Sequence, residues 1–165
     1  MWATASYEIA MHKTVISPGA GQSREIFQQS ETKEQAHSKG VVVRHDGYDR
    51  VYLSGIIPTD DEGKAMAPGD IGTQTRLGLK EIEATLEEHG GKMEDIVRVR
   101  VYIVDYNADD FREVHKVRQE FFDREHYPAS TLVEVANLVR DGARIEIDAE
   151  AIIPDDGWDL EVITD

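Results

Sequence analysis

The chain contains no cysteine. That excludes a disulfide framework, a thiolate nucleophile and any cysteine-based metal site. Cations are scarce too: 18 Lys and Arg stand against 33 Asp and Glu, a formal net charge of −15. So acidic a chain is repelled at long range by nucleic acid and by anionic membranes, and neither is expected as a partner. No apolar run approaches the roughly 20 residues that cross a bilayer. Met1–Ala10 shows no basic stretch followed by an apolar one, so no secretory signal is expected and the expected address is the cytoplasm. What is present is 165 residues, 40% of them apolar. That suffices for one domain burying roughly two-thirds of its unfolded surface.

Along the chain, Tyr7 to Ile16 reads as a strand closed by Ser17-Pro18-Gly19. Gly21 to Gln35 is polar and reads as an irregular extension. Val41–His45 and Arg50–Gly55 are β-rich runs separated by an Asp-Gly turn signal at Asp46-Gly47, hence a hairpin. Gly55 interrupts the second run, where a glycine marks a bulge or a close approach to the backbone. Asp70 is placed to cap a helix from about Ile71 to His89, stopped by Gly90-Gly91. From Ile96 to Val104, Val97, Val99, Val101 and Ile103 alternate with Arg98, Arg100 and Tyr102, the pattern of a half-buried strand. Asn107 or Asp109 starts a second helix to about Glu125, with Phe111, Val114, Val117, Phe121 and Phe122 as a core-facing stripe. Tyr127-Pro128 ends it.

Two alternating strands follow, one from Ser130 to Val135 and one from Ala143 to Glu150. In the second, Ile145, Ile147 and Ala149 share one face, and Arg144, Glu146, Asp148 and Glu150 share the other. That acidic face is either a solvated sheet surface or, with Ser130, Thr131 and Glu146, the rim of a small-molecule pocket. The order β, β, α, β, α, β, β predicts an α+β domain with two helices on one face of a mixed sheet. Residues 1–37 are expected as an N-terminal extension, 38–153 as the domain, and 154–165 as an acidic tail with Trp158 and Val162 as anchors.

Six segments in order, Ser54-Gly55-Ile56-Ile57-Pro58, Gln74-Thr75-Arg76, Asp110-Phe111, Pro128-Ala129, Val133-Glu134-Val135-Ala136 and Ile145-Glu146-Ile147, resemble the RidA (YjgF) family over roughly Ser38 to Ile153. The resemblance implies a chorismate-mutase-like fold and a homotrimer whose sheets pack around a central barrel. It also implies three small-molecule sites in clefts between subunits. Active members hydrolyse reactive enamines and imines, such as 2-aminoacrylate or 2-iminopropanoate, to 2-keto acids and ammonia, with no metal or organic cofactor. The resemblance gives Glu146 the proton-handling role. It places His37, Gly55, His115, Ser130 and Thr131 around the ligand.

One departure stands out. Active members carry an arginine directly after Pro-Ala to hold the substrate carboxylate with a two-pronged hydrogen bond. Here that position is Ser130. A serine supplies neither the charge nor the fork, and loss of such a partner costs about 2–5 kcal/mol. His37 and His115 stand at two further altered positions of the family pattern. No His-x-x-x-His spacing supports a metal triad of His37, His115 and Glu146, so no metal is expected. Arg144 shares the Glu146 face and is expected to pair with a nearby carboxylate rather than replace the missing arginine. Two function classes follow: a cofactor-free hydrolase of imines, enamines or related carbonyl compounds, or a trimer that binds a metabolite without turning it over.

Overall fold

The computed structural model describes residues 11–19 and 36–164. Its strands are β1 (His12–Pro18), β2 (Ser38–His45), β3 (Tyr48–Ile56), β4 (Ile96–Ile103), β5 (Ala129–Glu134) and β6 (Ile145–Pro154), and its α-helices are α1 (Ile71–Glu87) and α2 (Ala108–Arg118). One mixed sheet has the order β1-β2-β3-β6-β4-β5. Every neighbouring pair is antiparallel except β4 with β5, the two strands joined through α2. The expected α+β class, mixed sheet and two helices are therefore present. The expected extension contributes β1, which pairs with β2 from His12 opposite Arg44 to Pro18 opposite Ser38. The parts of the expected strand and extension that fall on 7–10 and 21–35 lie outside the described residues.

The core lies between the sheet and the two helices. Ile145, Ile147, Ala149 and Ala151 of β6 are buried there with Leu79, Ile82 and Leu86 of α1 and Val114 and Val117 of α2. The alternation of β6 produces this directly, since every second side chain points to the same face. Strand β4 departs from simple alternation. Its register against β6 shifts between Ile96 and Arg98. The extra residue buries Ile96 and leaves Val97 half exposed, whereas alternation alone put Val97 inside.

The second helix also ends earlier than its apolar spacing predicts. It stops at Arg118. Glu120, Phe121 and Phe122 continue as a turn through bonds to the carbonyls of Val117 and Arg118. Phe122 is still buried, but Phe111 is 42% exposed and packs at a tilt against His115 instead of entering the core. Asn107 caps the helix by accepting from the backbone of Asp109 and Asp110.

One buried side chain joins three segments. Gln74 of α1 is fully enclosed. Its Nε2 donates to the carbonyls of Met66, Ala67 and Gly142 at 3.0, 3.1 and 2.9 Å. Its Oε1 accepts from the backbone N–H of Arg144 at 2.7 Å. The amide thus ties the loop before α1 to the entry of β6. At the far end of the sheet, the Trp158 indole donates to Asp95 at 2.8 Å and fastens the acidic tail.

Replacing Gln74 with Leu removes the amide while keeping similar volume, and leaves these backbone groups unsatisfied. Urea unfolding at fixed protein concentration is expected to show a loss of roughly 2–4 kcal/mol. A loss below about 1 kcal/mol would show that the loops hold without it.

Candidate functional site

The sheet register divides the sequence-predicted site residues into two groups. The first gathers around the irregular end of β3. Pairing of β3 with β6 slips between Leu53 and Ile56, the bulge that Gly55 signalled. Ser54 donates its hydroxyl to the carbonyl of Ser38 at 2.7 Å, and the exposed His37 is the residue just before Ser38. Across from Gly55 stands Glu146. A Cβ at position 55 would lie 1.9 Å from Glu146 Oε1, so the carboxylate occupies the space that only a glycine leaves open. Glu146 is half-buried on the face away from the helices, opposite Tyr102 of β4. No hydrogen bond reaches its carboxylate from the described residues. Burial raises its pKa above the ordinary glutamate range, the neighbouring charge of Asp148 adds to the rise, and Arg140 opposes it. A carboxyl raised in this way accepts a proton more readily than an ordinary glutamate and can hand it back.

The second group lies at the outer edge of the sheet. Ser130 on β5 pairs with Val99 of β4, whose side chain points to the helices, so Ser130 faces them too. There it accepts a hydrogen bond from Arg118 Nη1 at 3.0 Å. His115 lies one turn earlier on α2. Burial lowers its pKa, and the adjacent positive charge of Arg118 lowers it further, so its imidazole is neutral at pH 7. Thr131 pairs with Arg100 and projects from the other face of β5.

Ser130 and Glu146 therefore lie on opposite faces of one sheet, separated by β4, and a single protomer does not bring them together. Thr131 shares the Glu146 face but stands beside Arg100. That face is otherwise tied up in ion pairs. Arg100 bonds Asp148 at 2.7 Å and also contacts Glu150. Tyr102 donates to Asp148 at 3.3 Å. Arg144 is engaged elsewhere, as its pattern suggested: it pairs with Asp110 at 2.7 Å and donates to the carbonyls of Val104 and Asp105, both at 2.9 Å. Among the described residues no cluster of three or more His, Asp or Glu could hold a metal ion, and no helix is long and apolar enough to cross a membrane.

Arg118 is the residue that sequence reasoning passed over. Its signal was present. Positions 111, 115, 118 and 122 fall on one helical stripe, and a charge on a stripe shared with Phe111 and Phe122 needs an explanation.

The family model described as Endoribonuclease L-PSP matches residues 27–153. A RutC family protein from Pyrococcus abyssi is 39% identical over 102 residues, spanning 62% of this chain and 76% of that relative. A 2-iminobutanoate/2-iminopropanoate deaminase from Salmonella typhimurium is 38% identical over 104 residues, 62% of this chain and 78% of the relative. Among solved structures, a member of the YjgF/YER057c/UK114 family from Mycobacterium tuberculosis superposes with a TM-score of 0.62 at 26% identity, over 86% of this chain and all of the other.

The seating of Glu146 can be read by carboxyl NMR. Its raised pKa means that ionisation costs the folded state stability: the penalty is absent below about pH 4, grows as pH rises from the ordinary glutamate value to the raised one, and is complete above it. Glu146→Gln is therefore expected to raise the melting temperature at pH 7, on the order of a degree or more, and to leave it unchanged at pH 3. Gly55→Ala displaces the carboxylate into solvent, since its end is flexible. The Glu146 titration is expected to fall back to the ordinary range while the sheet stays folded. An unchanged titration in Gly55→Ala would contradict the seating.

Proposed function

This chain belongs to the YjgF/RidA family, and from that premise we propose that it hydrolyses a small imine, enamine or related carbonyl metabolite in clefts between the subunits of a homotrimer. The observation that carries the proposal is Glu146, a half-buried carboxyl with a raised pKa, seated over Gly55 and free of hydrogen bonds from the described residues. An intersubunit cleft is supported by the division of the site. His37, Gly55 and Glu146 lie on one side of the protomer, and His115, Arg118 and Ser130 on the other. Only the meeting of one protomer's first group with a neighbour's second group would enclose a ligand between them.

For 2-iminopropanoate the steps balance with water alone. A water oxygen bonds to C2 of the C=N group as Glu146 takes a proton from that water. The imine nitrogen gains a proton from solvent, giving a tetrahedral carbinolamine. Glu146 then returns its proton to the amine nitrogen, the C–N bond breaks, and the hydroxyl loses its proton to solvent as the carbonyl forms. Pyruvate and ammonia leave. For 2-aminoacrylate, a proton from solvent added at C3 and a proton lost to solvent from nitrogen first yield the same imine. Positioning and proton transfer of this kind contribute about 10²–10⁴-fold.

A second reading, a trimer that binds a metabolite without turning it over, is favoured by Ser130, which stands where the family pattern has an arginine. The match to an endoribonuclease model is a weaker guide. A net charge of −15 opposes RNA, and Arg100, Arg76 and Arg144 are engaged by carboxylates rather than aligned as a basic stripe.

Ammonia release from freshly generated 2-aminoacrylate separates the two readings. Turnover by the wild-type protein is expected, with a loss of about 100-fold or more in Glu146→Gln. Absence of turnover alongside retained ligand binding would favour the second reading. Light scattering is expected to give the trimer mass, and a monomer at all concentrations would remove the cleft.

A further inference from the structure

Arginine side chains in this protein are generally paired with acids: Arg76 with Glu120, Arg100 with Asp148 and Arg144 with Asp110. Arg118 is different. It is 8% exposed, among the most enclosed charged groups in the described structure, yet no carboxylate of the described residues pairs with it. Its guanidinium carbon lies 5.9 Å from the centre of the Phe122 ring. Its single hydrogen bond runs from Nη1 to the neutral hydroxyl of Ser130. Burial pulls its pKa down, but an arginine stays charged at any working pH. A buried cation without an anion costs stability, so a protein that retains one usually has a use for it.

The surroundings show where an anion would come from. Ser130 is exposed on β5, the edge strand, while Arg118 behind it is enclosed. The remaining guanidinium nitrogens form no bond within the described residues, and neither is sealed from solvent. Because Ser130 Oγ accepts from Nη1, its own O–H is directed elsewhere and can donate outward. Among the described residues no acidic side chain adds to the charge around Arg118.

We propose that Arg118 is the anion anchor of this protein, its guanidinium and the Ser130 hydroxyl together holding the carboxylate of a small 2-imino or 2-keto acid. The charge that the family pattern carries on the strand is delivered here from helix α2, and the serine makes room for it. A longer side chain at position 130 would compete with Arg118 for the same place. The neutral His115 imidazole, one turn away, adds a hydrogen-bonding group without a second charge. This inference rests on the reading of the site as an imine or keto-acid cleft. It also answers the objection that Ser130 raises against that reading.

The test uses pyruvate as the probe and methyl pyruvate, which lacks the charge, as the control, with binding followed by calorimetry on the full chain. Wild type is expected to bind pyruvate and to discriminate against the ester. Arg118→Met is expected to lose at least about 30-fold in pyruvate affinity with no change toward the ester. It is also expected to melt at or above the wild-type temperature, because an uncompensated buried charge has been replaced by an apolar chain of similar length. A merely structural arginine would give the reverse: lower melting temperature and intact binding. Should Arg118→Met fail to fold, that outcome counts against the anchor, and Arg118→Lys, which keeps charge but not the fork, supplies the second measurement. Lysine should retain part of the affinity, and affinity equal to wild type in both Lys and Gln variants would overturn the proposal. Adding Ser130→Arg to Arg118→Gln should restore binding. If pyruvate binding is unchanged in these variants while ammonia release persists, the anchor falls and the imine-hydrolase reading stands. If wild type binds no pyruvate, the anchor falls, and ammonia release independently decides whether the wider reading falls with it.

Discussion

The position of β6 depends on a buried amide. Gln74 holds the backbone of Arg144 at one end and three loop carbonyls at the other, so the first residue of β6 enters the sheet at a fixed height. The Arg144 side chain adds to this by closing over the carbonyls of Val104 and Asp105, and its ion pair with Asp110 links β6 to the start of α2. Two residues on, Glu146 inherits that placement. A shift of one residue along β6 would send its carboxylate into the core and Ile145 into solvent. The polar hub near the core is thus what aims the Glu146 carboxyl outside it.

The two groups on which the proposals rest sit in places that disfavour their charge. Glu146 is half-buried beside another carboxylate, and Arg118 is enclosed without one. Elsewhere the same molecule neutralises its charges efficiently, as the Arg100 network on the open face illustrates. The contrast sets these two groups apart from those that hold the structure together, as perturbed groups at candidate sites are.

Much of this architecture was legible in the residues. The alternation in β6, the hairpin turn at Asp46-Gly47, the Asp70 cap and the bulge at Gly55 all act locally, through side-chain period, turn chemistry or the missing Cβ, and each lies where its pattern put it. What was not legible depends on partners distant in sequence. The slip that exchanges Ile96 for Val97 is set by pairing with β6, more than fifty positions away. The early end of α2 and the exposure of Phe111 follow from how the chain turns toward β5. The Arg118–Ser130 contact joins a helix to an edge strand, and neither local pattern contains it. Likewise, the resemblance named Gly55 and Glu146 separately, but only the register shows that one exists to make room for the other.

That mutual fit has an evolutionary side. A side chain at position 55 would push the carboxylate at 146 out of its half-buried seat, whereas shortening residue 146 first would leave position 55 open to substitution. A descendant that dropped the acid and then filled the gap could regain the acid, but only with its carboxylate turned to solvent. The glycine thus acts as a ratchet on the acid's surroundings: once it is lost, restoring the acid alone does not restore its seat.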